Sequence, residues 1–171
     1  MRVLFLTLAL VPACIFAQGE PGFRKSSLGF AAELDVPVGD FSSLAGTGYG
    51  GIARFQYGTN FRAAATVSLG YLVWSKKDFV GGSIQAQAFE AMAGAKAYFT
   101  PGFFGSIEAG LYFFSFTRTG NVIGAEGSAT RFMMPVGIGY QKSGFEIGAR
   151  YYIFNANANS FSFTLGYNWM L

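Results

Sequence analysis

The sequence predicts an all-β chain, an antiparallel up-and-down transmembrane β-barrel of eight strands. Three observations predict it. The first is a set of tight turns clamped between aromatic residues: Tyr57-Gly-Thr-Asn-Phe61, Phe99-Thr-Pro-Gly-Phe103 and Tyr140-Gln-Lys-Ser-Gly-Phe145. Their opening residues, Gly58, Thr100 and Lys142, stand 42 residues apart. The second is the alternation of apolar and polar residues in the segments around these turns, which are joined at their other ends by longer polar loops. Tight turns at one rim and longer loops at the other belong to this architecture. The third is composition. Only 12% of the 171 residues are charged, about half the usual globular share, while Gly (24) and Phe (20) are abundant. A soluble domain covers itself with Lys and Glu, and this chain lacks the charge for a wet exterior.

Residues 1–17 are expected to be a secretory leader, which leaves a barrel domain over residues 18–171. Arg2 supplies a minimal basic region, Val3 to Leu10 the apolar stretch, and Ala17 the residue before cleavage. The stretch is too short for a spanning helix, and no later segment reaches the ~18 apolar residues of one. The single cysteine, Cys14, falls inside this leader, so cleavage after Ala17 leaves no disulfide. Val11-Pro-Ala-Cys14 also matches a lipid-attachment box, against which Pro12 and the shortened apolar region both count. Once Arg2 is gone, eleven basic residues face nine acidic ones. They are scattered, so nothing argues for a nucleic-acid partner.

After a polar tail from Gln18 to Ser26, eight alternating runs follow. The first sets Leu28, Phe30, Ala32 and Leu34 against Gly29, Ala31, Glu33 and Asp35. The second sets Gly51, Ala53, Phe55 and Tyr57 against Ile52, Arg54 and Gln56. In the third, Ala63, Ala65, Val67, Leu69 and Tyr71 oppose Arg62, Ala64, Thr66, Ser68 and Gly70. The fourth carries Ala91, Ala93, Ala95 and Ala97 opposite Glu90, Met92, Gly94 and Lys96. The fifth alternates Ile107, Ala109, Leu111 and Phe113 with Ser106, Glu108, Gly110 and Tyr112. Met134, Val136, Ile138 and Tyr140 form the apolar face of the sixth, and Ile147, Ala149 and Tyr151 that of the seventh; Glu146, Gly148 and Arg150 lie behind the latter. The eighth places Phe161, Phe163, Leu165, Tyr167, Trp169 and Leu171 at every second position. Each run reaches the roughly 9–11 residues that a tilted membrane strand needs.

Alternation gives two faces without saying which is outside. An eight-stranded barrel has an interior barely wide enough for side chains, and the polar face is rich in the small residues Gly, Ser and Ala. Aromatics on the apolar face gather at strand ends (Phe55, Tyr57, Phe61, Tyr71, Tyr140, Phe145, Tyr151, Tyr167, Trp169), with aliphatic residues between them. Rings at both interfaces around an aliphatic band suit lipid. The apolar face is therefore expected outside. In hydrocarbon no sheet edge stays open, so the eighth strand is expected to pair with the first. The tight turns and both termini are expected on the periplasmic side. The loops Val36–Thr47, Ser75–Ser83, Thr117–Thr130 and Asn155–Asn159 are expected to be extracellular.

Three segments carry a family likeness: the loop Pro37-Val-Gly-Asp-Phe41, the strand Ala93-Gly-Ala-Lys-Ala-Tyr-Phe99, and the terminal Phe-x-Phe-x-Leu-x-Tyr-x-Trp-x-Leu ending at Leu171. With them the chain resembles the small eight-stranded outer-membrane barrels of Gram-negative bacteria of the OmpA and OmpX type. It resembles more closely the broad outer-membrane β-barrel or porin-family group. The resemblance covers everything after the leader, and its motifs are specific for fold and location rather than activity. It implies an outer-membrane protein crossing by several β-strands, in contact with outer-membrane lipids and lipopolysaccharide. Phe163, Leu165, Tyr167, Trp169 and Leu171 resemble the terminal signal read by the barrel-insertion machinery. The family usually ends in an aromatic residue, so Leu171 is a departure. The sequence does not fix an oligomeric state, and a monomer is the expectation.

The one chemical constellation lies on the polar face, where Glu33, Glu90, Glu108 and Glu146 share the interior with Arg54, Arg62, Lys96 and Arg150. Four acids thus meet four bases. A charge buried alone costs several kcal/mol, so a narrow lumen holds them as paired, hydrogen-bonded networks. A salt-bridged plug that fixes strand register is expected; an ion path, or a gate that opens when pairs switch, is the alternative. Catalysis finds little support. The chain has no histidine, which removes Ser-His and Asp-His arrangements, and no cluster has metal-ligand spacing. Gly46-Thr-Gly-Tyr-Gly-Gly51 matches a dinucleotide fingerprint as a string but follows a loop and opens a strand, the wrong context. Lys76-Lys77-Asp78 in the second loop is expected to be a solvated loop tip, with contact to anionic lipopolysaccharide or a partner as the alternative, and Arg118, Glu126 and Arg131 in the third form no recognisable binding motif. The expected function is a non-enzymatic outer-membrane barrel with no cofactor, a closed lumen and a structural or surface-interaction role. A small gated porin-like channel is the first alternative, and a soluble periplasmic lipocalin-like binder the second.

Overall fold

A computed structural model describes residues 26–60, 62–120, 127–154 and 158–171. The expected leader with Cys14, the tail to Lys25, the turn residue Phe61, Glu126 and the centres of the third and fourth loops lie outside the described residues. The elements run β1 (Ser26–Gly39), α1 (Phe41–Leu44), β2 (Gly48–Asn60), β3 (Ala63–Trp74), β4 (Lys77–Phe79), β5 (Gly82–Tyr98), β6 (Phe103–Gly120), β7 (Gly127–Lys142), β8 (Phe145–Phe154) and β9 (Ala158–Met170).

Every neighbouring pair is antiparallel. β3 pairs with β5, and β1 pairs with β9 from Ser27↔Met170 to Gly39↔Ala158. Eight strands therefore close into a cylinder, as the sequence predicts. β4 stands outside the ring as a short hairpin extension, pairing only with β5. Turn chemistry sets the strand connections at one rim. Between β7 and β8, Ser143 (φ 51°) and Gly144 (φ 88°) both have positive φ, the combination whose twist matches two antiparallel strands. Between β5 and β6, Gly102 (φ 100°) lies under the Tyr140 ring, where a Cβ would come within 2.6 Å of a ring carbon.

The apolar face points outward. Leu165 is 63% exposed and Val67 53%, while Glu90 and Ser162 are wholly buried. At the level of these residues a soluble, lipocalin-like arrangement is excluded, because it requires the opposite. Aromatic contacts ring the turn end, with Phe103–Tyr140 at 4.7 Å, Phe145–Tyr167 at 5.0 Å, Tyr167–Trp169 at 4.9 Å and Phe30–Trp169 at 6.0 Å between centroids. A second ring near the loop end includes Phe89–Phe113 (6.2 Å) and Tyr151–Phe161 (4.8 Å). Ala32, Val67, Leu69 and Val136 lie between the rings.

Beyond the second ring the polarity of the wall reverses. In β6, Ser115, Thr117 and Thr119 take the outward positions while Phe114 turns inward; in β5, Gln85 and Gln87 point out and Ala86 and Ala88 point in. The wall has left lipid and entered water while still paired as sheet. For this reason the expected loops are shorter than predicted. β1 continues through Val36 to Gly39, β4 and the start of β5 occupy much of Ser75–Ser83, and β6 and β7 extend to Gly120 and from Gly127. The alternation persists there, with its apolar and polar sides exchanged.

Candidate functional site

The lumen is built in layers. In the middle layer, inward positions of five strands bring six charges into one chain of alternating sign. Lys96 on β5 places Nζ 2.5 Å from Glu146 Oε2 on β8, and Arg54 Nη1 on β2 lies 2.6 Å from Glu146 Oε1. Arg54 Nε reaches Glu108 Oε1 on β6 at 3.7 Å, and Arg150 on β8 bridges Glu108 Oε2 (3.2 Å) and Glu33 Oε1 on β1 (2.8 Å). All six residues are buried. Hydroxyls and an amide complete the carboxylates. Ser68 and Thr66 donate to Glu108 at 2.9 and 3.2 Å, Tyr152 and Ser162 donate to Glu33, and Asn168 donates to Glu146 at 3.1 Å. Lys96 also lies 4.3 Å from the centre of the Phe104 ring. Buried pairs of this kind add little net stability over apolar packing, but removing one member strands the other and is costly.

Two of the expected members behave differently. Arg62 has the parity of the lumen face but occupies the turn between β2 and β3, where it is exposed; parity assigns a face and says nothing of height along the axis. Glu90 is as fully buried as the network but makes no ion pair among the described residues; Tyr112 and Tyr152 hydroxyls are its neighbours. Asp35, inward on β1, joins the interior and accepts a hydrogen bond from Trp74 Nε1 at 2.7 Å. The balance of four acids and four bases is thereby corrected: among the described residues, Glu33, Asp35, Glu90, Glu108 and Glu146 share the interior with Arg54, Lys96 and Arg150.

Toward the loop end lies an apolar layer that the polarity of the sequence does not announce. Gly39 (φ 62°) turns the chain inward. The single turn of α1, held by Ser43 Oγ donating to the Asp40 carbonyl, then drives Phe41 into the barrel mouth. There Phe41 meets Trp74 edge-on at 5.3 Å and Phe114 at 6.0 Å, while Trp74 stacks on Phe114 at 5.7 Å. Leu72, Met133 and the Tyr112–Tyr152 pair lie in the same apolar cluster. The signal was present, since Trp74 and Phe114 continue the inward parity of Leu72 and Tyr112. At the turn end a polar clasp joins three strands: Gln56 donates to the Tyr98 hydroxyl at 2.9 Å, which donates to Gln141 at 2.7 Å. Phe163, Leu165 and Trp169 face outward along β9, Leu171 is exposed just past its end, and Tyr167 packs against Phe145. Among the described residues no group of acidic or sulfur ligands is placed to hold a metal ion.

A closed cylinder with an outward apolar band and a charged interior has the fold of a transmembrane β-barrel. No family model and no curated protein matches the chain. Solved structures do. Ail, the attachment invasion locus protein of Yersinia pestis, superposes with a TM-score of 0.62 at 16% identity over 86% of this chain and 99% of that one. The N-terminal β-barrel domain of Pseudomonas aeruginosa OprF gives 0.51 at 20% identity over 84% and 97%. Neisserial surface protein A gives 0.51 at 12% identity over 84% and 95%. At these identities the likeness is one of fold, and the fold is that of the small eight-stranded outer-membrane barrels of the OmpA and OmpX type.

Proposed function

We propose that the protein is a non-enzymatic outer-membrane barrel with a closed lumen, serving a structural or surface-interaction role. The observation that carries this is the charge chain from Lys96 to Glu33, which crosses the interior through β5, β8, β2, β6 and β1. Ions passing the lumen would have to displace paired, desolvated charges. The apolar layer under Phe41 and the Gln56–Tyr98–Gln141 clasp stand on either side. The absence of histidine from the sequence supports the non-enzymatic part. Outer-membrane lipids and lipopolysaccharide are the surroundings that the apolar band suits, and the outward row on β9 suits recognition by the insertion machinery. Purified protein in planar bilayers tests the closed lumen: a flat current trace is expected, and reproducible single-channel steps would refute it.

A gated channel is the second reading, favoured by one observation. Arg150 has an unpaired acid, Glu90, on the same lumen face as its present partners, so pairs have somewhere to switch. Steps in current that appear only under a voltage or pH change would support it.

A further inference from the structure

Proline inside a paired strand is confined to edges or bulges, because it has no N–H for the ladder. The chain has two prolines within described strands, and they differ. Pro37 lies on β1 beyond the point where β1 and β2 part at Asp35↔Gly48, so the side without an N–H faces no ladder. Pro135 lies within β7, between β6 and β8. Its pairing with β8 is continuous through Pro135↔Tyr152. Its pairing with β6 is not: the ladder runs to Ile107↔Val136, stops, and resumes at Gly110↔Met133 in the same register. In that register Glu108 stands opposite Pro135, and its carbonyl loses the ladder hydrogen bond that any other residue at 135 would donate. Among the described residues the only other interruption is the irregularity at Gly58/Asn60, beside a turn. The gap in β6–β7 falls instead in the spanning part of the wall, where no water stands ready to replace a lost partner.

The position has chemical meaning. Glu108 is the middle acid of the charge chain and is held by Arg54 and Arg150, while Tyr152, opposite Pro135 on β8, donates to Glu33. We infer that the β6–β7 wall contains a built-in lateral seam at Pro135, where the two strands part locally while the remaining ladders hold, giving access from the wall to Glu108 and Arg150. Pro135 is fully buried, so the ring itself fills the seam from the lumen side. The inference goes beyond the closed-lumen proposal and does not depend on it, since strands can part sideways whether or not ions pass along the axis.

Hydrogen exchange on the intact folded barrel in lipid nanodiscs, read by mass spectrometry, tests it. Segments 106–111 and 131–136 should exchange about tenfold faster than segments 50–56 and 66–71, over which the β2–β3 ladder is continuous, as one missing backbone hydrogen bond implies. Equal protection would overturn the seam. Pro135→Ala restores an N–H and should bring the fast segments to the β2–β3 rate. Fast exchange that persists in a folded Pro135→Ala barrel would overturn the role of the proline. If that variant does not fold, the comparison within the unaltered protein decides alone.

Discussion

The indole N–H of Trp74 on β3 donates to Asp35 on β1 at 2.7 Å, reaching past the strand that lies between them. Like the bond from the Tyr152 hydroxyl to Glu33, it joins the apolar layer at the loop end to the buried acids. Trp74 is held edge-on by Phe41 and stacked by Phe114, so the aromatic cluster orients the donor that a buried carboxyl group requires.

Trp74→Phe keeps a ring in the cluster and removes the donor. It should cost about 1–3 kcal/mol, the penalty for stranding a buried polar group. Asp35→Leu in the Trp74→Phe background should recover part of that loss, since the buried acid is then gone, and only part, since Ser160 loses its bond to Asp35 as well. The measurement is the temperature at which the compact band on unboiled SDS gels gives way to the unfolded one. A double variant no more stable than Trp74→Phe would separate the two residues energetically.

Arginines in the interior and at the turn should behave oppositely. Arg150→Met leaves Glu33 and Glu108 without the cation that bridges them and should cost about 3–5 kcal/mol. Arg62→Met, at the exposed turn, should change stability by less than about 0.5 kcal/mol. Similar costs for the two would contradict the placement of Arg62 outside the network.

Charge reversal of Arg54 separates the two functional readings. Arg54→Glu sets a new acid beside Glu108 and Glu146, and a closed plug should respond by failing to reach the SDS-resistant form. A folded, conducting variant with altered ion selectivity would instead establish the gated channel.

The lipid boundary can be mapped by arginine scanning of the outer face. Val67→Arg lies in the aliphatic band and should cost about 2–4 kcal/mol, whereas Thr117→Arg, beyond the loop-end ring, should cost about 0–1 kcal/mol. Equal penalties at the two positions would place the upper limit of the membrane elsewhere.

Period-two counting was enough to assign the two faces of the wall, because a one-residue slip would turn Val67 inward and Ser68 into lipid. It failed where polarity and parity part company. Ser115 and Thr117 look like loop residues only if the outside is taken to be lipid throughout, and the same assumption hid Trp74 and Phe114 as interior residues. The charge network was legible as a set of inward residues, but its membership was not. Arg62 and Arg54 share a parity and differ in height, and Asp35 was visible on the right face without the register that brings Trp74 to it. Height along the axis depends on strand stagger, which a single chain does not encode locally.

The pairing of β1 with β9 has a consequence for assembly. The other ladders join strands that are consecutive or separated only by the β4 hairpin, and such ladders form with little loop-closure cost. The ladder from Ser27↔Met170 to Gly39↔Ala158 joins the two extremes of the sheet, so it carries the longest closure and should be the slow event. Before it forms, the chain has two raw edges that neither lipid nor water-free packing can satisfy. A partial cylinder is thus not a smaller version of the protein but an adhesive sheet, and insertion into the bilayer must end as an all-or-none step that waits for the final strand.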